Sequence, residues 1–279
     1  MKRFTLRMFC SMVVCALMVA ALGQPALSQK PTKQKAKKAE PMVSAQPPAQ
    51  QQWASITIVH VKPDMVTEFE DFVKKETIPA QKKAGFKWRS TWQTANFGEG
   101  FEYVIATPIE DFAQYDGQGA IAKALGPEGM RAYTAKLRKL ITSVHIYAAV
   151  DRPDLSYQGK MAEPKLGVVT ITHVVPGHIQ EFENIVKNDV VPAMKKAGVP
   201  GFFVSQTIFG GNANEYVSVT LYDSFADIGK GSPMVRSMGQ EWVNKLLQKG
   251  AGIIAQQERV VARYNADLSF MPPMTPEKK

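Results

Sequence analysis

The chain has 279 residues, 45% of them hydrophobic and 21% charged, which is enough apolar content for one large domain or two ordinary ones and too much for disorder throughout. Its formal charge of +9 is unevenly spread: eight of the 34 basic residues but one of the 25 acids, Glu40, fall in the first forty positions, leaving 26 bases against 24 acids elsewhere. That near balance excludes a polyphosphate-binding surface, so nucleic acid is not an expected partner.

Residues 1–28 read as a secretory signal. Lys2, Arg3 and Arg7 precede an apolar stretch from Met8 to Leu22, and Ala26-Leu27-Ser28 offers an A-x-A-like cleavage site. The stretch is shorter than the roughly 20 residues of a membrane span, so a periplasmic or secreted protein without an integral membrane domain is expected after cleavage. Cys10 and Cys15 both lie inside it, which leaves the mature chain without a thiol for disulfide, metal or nucleophile chemistry. Residues 29–52, basic and rich in Gln and Pro, read as a flexible linker.

The rest repeats. Thr57-Ile-Val-His-Val-Lys-Pro-Asp-Met-Val-Thr-Glu-Phe-Glu returns as Thr170-Ile-Thr-His-Val-Val-Pro-Gly-His-Ile-Gln-Glu-Phe-Glu. The offset that carries His60 to His173 also maps Lys82-Lys83-Ala84-Gly85 onto Lys195-Lys196-Ala197-Gly198, Glu102-Tyr103-Val104 onto Glu215-Tyr216-Val217, and Asp154-Leu155-Ser156 onto Asp267-Leu268-Ser269. Two tandem units are expected, 53–157 and 166–270, with a linker at 158–165 and a tail at 271–279.

Within each unit a β-branched strand (Ser55 to Val61; Val168 to Val174) leads through Pro63 or Pro176 into a helix. Its apolar residues Val66, Phe69, Phe72 and Val73, or Ile179, Phe182, Ile185 and Val186, recur at helical spacing. Pro79 and Pro192 are expected to kink or end this helix, and Gly85 and Gly198 to stop it. Two strands follow, Lys87 to Thr94 and Glu102 to Ala106 in the first unit, Phe202 to Thr207 and Glu215 to Thr220 in the second. A helical region from about Ile109 to Thr142, broken by Gly117, Gly119 and Gly126-Pro127, precedes a last strand (Val144 to Val150; Gln257 to Tyr264). The order β-α-β-β-α-β is that of a ferredoxin-like split motif. The fold class is α+β: two ferredoxin-like repeats whose open sheet faces cover one another in an intrachain pseudo-dimeric barrel, with the helices outside.

The strand running into His60-Val-Lys-Pro-Asp or His173-Val-Val-Pro-Gly, the helix with Glu-Phe-Glu, and the later Asp111-Phe-Ala or Ser224-Phe-Ala resemble the dimeric α/β-barrel superfamily, with its antibiotic-biosynthesis-monooxygenase-like and NIPSNAP-like domains. That resemblance implies a menu of functions, from cofactor-free oxygenases and haem degraders to proteins of no established activity, from which only a site can choose. No cofactor is expected. The haem-degrading relatives use an Asn, Trp and His constellation, of which Trp92 and His60 are single candidates without the spacing.

His60 and His173 are the candidate catalytic residues, placed for proton transfer at the ends of equivalent strands; the ordinary reading is a strand-end histidine bonded to a nearby acid. Trp88 and Trp92 alternate onto one face of a strand with Arg89 on the other, and are candidates, with Glu102 and Glu215, for binding a flat or anionic ligand. Core packing is the ordinary reading of the tryptophans, and a surface ion pair that of the glutamates. His145 and His178 have no counterpart, and no histidine-carboxylate spacing marks a metal site. Three functions stay open: binding of a small apolar or aromatic molecule in the inter-repeat barrel, an enzyme of the cofactor-independent monooxygenase or haem-handling kind, and a structural or assembly role.

Overall fold

A computed structural model describes residues 52–160 and 163–271. The expected signal segment, nearly all of the basic linker, both cysteines and residues 272–279 lie outside the described residues. Among the described residues no helix is long and apolar enough to cross a membrane.

The first half of the described chain holds β1 (Trp53–Val61), α1 (Val66–Phe72), α2 (Ile78–Lys83), β2 (Ser90–Thr94), β3 (Glu102–Ile109), α3 (Ala120–Leu140) and β4 (Ile141–Asp151). After the two-residue β5 (Tyr157–Gln158), the second half holds β6 (Leu166–Val174), α4 (Ile179–Ile185), α5 (Val191–Ala197), β7 (Gly201–Phe209), β8 (Glu215–Tyr222), the short α6 (Phe225–Gly229), α7 (Pro233–Met238) and α8 (Gln240–Gly250), and β9 (Ile254–Tyr264). Pro79 and Pro192 do not end their helices. Each follows a π-helical turn, Val73–Thr77 or Val186–Val190, where the Ile78 and Val191 amides donate to Val73 and Val186. One extra residue in the turn makes room for a ring that has no N–H and crowds the carbonyl behind it. The helices stop instead at Gly85 and Gly198, with φ +87° and +68°. The long α3 bends at Gly126, φ +72°.

The strands form two antiparallel groups, β4-β1-β3-β2 and β9-β6-β8-β7. Register is matched between them: His60 sits opposite Glu102 and His173 opposite Glu215. The groups do more than face each other. Their edges are hydrogen-bonded at both seams, β2 to β9 through Trp92 and Tyr264, and β4 to β7 through Val150 and Gln206. The result is a closed antiparallel barrel of eight strands, in which closure satisfies edge amides and carbonyls that two separate sheets would expose.

Helices cover the outside. Val59, Val61, Tyr103 and Ile105 pack on Phe69, Phe72, Ile78 and Leu140 in one cluster, and Val174, Tyr216, Phe202 and Val204 on Phe182, Val186 and Met194 in another. Alternation along a strand sends the neighbouring side chains inward. Ile56 and Ile58 of β1 oppose Ala106 and Val104 of β3, and Val169 and Ile171 of β6 oppose Val219 and Val217 of β8. All eight inward residues are only partly buried, whereas the outward-facing residues of the two clusters are fully buried. Around these positions the helix-facing cluster is sealed, while the inward residues keep partial contact with water.

Candidate functional site

The inward face ends at one mouth in two matching groups. Glu102 lies beside His60, Nε2 to Oε2 3.2 Å, and Thr94 donates its hydroxyl to the other Glu102 oxygen at 3.2 Å. Across the barrel Glu215 lies 2.9 Å from His173 Nε2 and accepts from Thr207 at 2.8 Å. Strand pairing creates each group: the histidine and glutamate are directly opposite on adjacent strands, and the threonine stands on the next strand along. Tyr147 of β4 reaches between the two. Burial raises its phenol pKa, and the charges of Glu215 and Glu102 raise it further, so the ring stays protonated.

The halves diverge above the histidines. In the first, Glu99 on the loop between β2 and β3 also binds His60, Nε2 to Oε2 2.7 Å, and Ser143 Oγ lies 3.0 Å from His60 Nδ1. The loop holds Phe101 at φ +63°, an uncommon conformation for a bulky side chain. At the corresponding places of the second half stand Asn212 and Gln256.

Deeper in the barrel, Trp92 hydrogen-bonds Ser90 Oγ at 3.0 Å and packs at 5.3 Å, edge to face, on the Tyr264 ring across the β2–β9 seam. A Cβ on Gly167 would stand 3.2 Å from the Trp92 ring, so glycine lets the indole lie against the β6 backbone. Trp88 is half-buried and precedes β2. Arg89 does not join the tryptophans. It is buried on the opposite face of β2, where its guanidinium donates to the Leu268 carbonyl (2.8 Å), Thr91 (3.1 Å) and Gln81 (3.2 Å), and burial lowers its pKa to about 10. It ties β2 to the helix layer and to the C-terminal segment.

His145 is exposed, 5.9 Å from the Tyr147 ring, and His178 pairs with Glu181 on the surface. A separate groove of about 440 Å³, lined by Lys165, Asp223, Phe225, Arg263 and Tyr264, contains no histidine. Sequence reasoning gave no site role to Thr94, Thr207, Glu99, Ser143 or Tyr147. The offset that carries His60 to His173 also carries Thr94 to Thr207, a signal for the threonines; Tyr147, matched by Val260, carries none.

Haem does not fit this donor set: the mouth gathers Glu99, Glu102 and Glu215, whose charge repels propionates.

No protein-family model matches the chain. No curated protein matches it in sequence either. Solved structures do match: a putative monooxygenase from Lactobacillus acidophilus NCFM, at TM-score 0.54 and 12% identity over 80% of this chain and 97% of that one. An anthrone oxidase-like protein follows at 0.53 and 9%, over 77% of this chain and 91% of that one. A mutant chlorite dismutase from Candidatus Nitrospira defluvii aligns at 0.52 and 8%, over 77% and 92%. The likeness is one of fold. At such identities these neighbours carry no residue roles to this chain.

Proposed function

We propose that the chain binds a small apolar or aromatic molecule inside the barrel, with Ile56, Ile58, Val104, Val217, Val219 and Trp92 around its body and the His60–Glu102 and His173–Glu215 pairs at its polar end. The observation that carries this reading is a local contrast: inward Ile56, Ile58, Val104, Val217 and Val219 are only partly buried, while helix-facing Val59, Val61, Tyr103, Val174 and Tyr216 are buried. An apolar lining with few polar groups converging at one end is the usual form of a small-molecule site. We read the two halves as copies of one βαββαβ unit, and residues 1–28 as the signal that exports the protein to the periplasm or beyond.

The test is native mass spectrometry of the full chain purified without denaturant from its own cells. The expected result is an added small mass, released on unfolding and absent from Val217→Trp, whose indole fills the interior. An empty wild-type chain, with V217W equally stable and no ligand found, refutes the reading. A retained polypeptide in place of a small molecule favours the assembly role.

A second reading is favoured by the histidine-carboxylate-threonine groups, in which a base is held by an orienting acid. There, His60 or His173 moves a proton on the bound molecule. Turnover of the identified ligand that survives His60→Phe/His173→Phe would remove it.

A further inference from the structure

We propose that His60, Glu99 and Glu102 form a binding site for a divalent first-row transition-metal ion at the mouth of the barrel. Among the described residues they bring one imidazole nitrogen and two carboxylate oxygens within 4.8 Å of one another. Neither carboxylate is paired with a lysine or arginine among the described residues, so two acids share a single histidine, and a cation is the partner their charge lacks. The His60 Nε2 to Glu102 Oε2 separation, 3.2 Å, matches the edge of about 3.3 Å that metal–ligand bonds of about 2.0–2.1 Å give in a tetrahedron. Glu99 is closer at 2.7 Å, but its side chain is 75% exposed on a loop and free to swing outward.

The surrounding groups support coordination. Ser143 Oγ lies 3.0 Å from His60 Nδ1 and can accept its proton, which turns the Nε2 lone pair toward the ion. Thr94 holds the second Glu102 oxygen. An imidazole in the set favours zinc, copper, nickel or iron over the harder calcium and magnesium. Three protein donors leave a tetrahedral ion with one further position, the arrangement of a site that admits an exchangeable ligand.

The molecule contains its own control. Across the same mouth His173, Glu215 and Thr207 keep the same geometry, but Asn212 replaces Glu99 and Gln256 replaces Ser143, leaving two donors. The first group takes the ion and the second does not. This holds whether or not the apolar interior binds a guest.

Isothermal titration with Zn²⁺ tests it on the full chain carrying Cys10→Ser and Cys15→Ser, which remove the two thiols. One site is expected. Glu99→Gln should weaken it at least about ten-fold and His60→Phe abolish it, while Ser143→Ala weakens it by about 10–100-fold through loss of orientation. Asn212→Glu with Gln256→Ser should raise the count to two. Absence of zinc binding, binding that E99Q and H60F leave unchanged, or displacement of zinc by equimolar calcium would each overturn the proposal. E99Q lies on an exposed loop and keeps the fold, and the grafted second site reads a gain that misfolding cannot imitate.

Discussion

Gly167→Ala tests whether β2, β6 and β8 converge inside the barrel. The added methyl would stand 2.9 Å from Val219 Cγ1 and 3.2 Å from the Trp92 ring, against about 3.5–4.0 Å for a relaxed carbon contact. One neighbour must retreat by several tenths of an ångström in a wall tied by ladder bonds. Overpacking of this kind costs about 1–3 kcal/mol. Losing a glycine from the unfolded chain returns about 0.4–1 kcal/mol, so a net destabilisation of about 1–2 kcal/mol is expected. For a domain of this size that is a fall in Tm of roughly 3–6 °C. Val219→Ala removes the clashing methyl at a cost of its own of about 1 kcal/mol. The double variant should therefore be more stable than the two single losses imply, with a coupling of at least about 0.5 kcal/mol. Urea unfolding of all four proteins, followed by circular dichroism with Trp emission alongside, measures the cycle. Additive losses would mean that Gly167 and Val219 do not meet, and the inward-facing assignment would fail.

Gly210→Ala should damage barrel closure severely, since its Cβ would meet the Ile146 carbonyl oxygen at 2.6 Å at a backbone φ of +82°; faster amide exchange confined to the β4–β7 seam is the expected signature. Phe69→Ala and Phe182→Ala occupy matching places against Tyr103 and Tyr216, ring centroids 5.0 and 4.9 Å apart, and each should lose about 3–5 kcal/mol in denaturant unfolding. Arg152 holds the Glu183 and Asp154 carboxyls below the usual carboxylate range by direct hydrogen bonds. Their stabilisation is complete where the unfolded carboxyls are ionised, above about pH 5, and is lost as pH falls through the lowered values. Arg152→Met should cost about 1–3 kcal/mol at pH 7, discounted for partial exposure, and flatten the acid limb of a stability-against-pH curve. The exposed Lys136–Glu76 pair is the contrasting case, and Glu76→Gln should change stability by less than about 1 kcal/mol.

Much of the local order is written in the residues. The β-branched run through Thr57, Val59 and Val61 makes β1 wherever it is placed, and the spacing of Phe69, Phe72 and Val73 makes one helical face. Gly85 and Gly198 stop their helices because a left-handed residue there is cheapest as glycine. The pairing of His60 with Glu102 was close to legible as well, since both belong to segments that return together at His173 and Glu215. These features depend on neighbours a few residues away, or on one register held twice.

Tertiary structure decided the rest. Nothing local tells β4 to pair with β7, or β2 with β9; those seams follow from two curved sheets having edges that only the other can satisfy. Alternation already put Arg89 and Trp92 on opposite faces of the strand, but only packing decided that the Arg89 face is buried against Gln81 and the Leu268 carbonyl, away from any pocket with Trp92. Glu99 meets His60 only because a loop with Phe101 in a left-handed conformation folds over the end of β1. Sequence by itself determined the order of the main strands and helices, because backbone preference and side-chain period act over one or two turns, but not where each ends: β3 runs to Ile109 and α3 begins only at Ala120. Which faces meet, whether the interior is filled, and which charges share a corner were settled by strand register and barrel closure, through contacts between residues far apart along the chain.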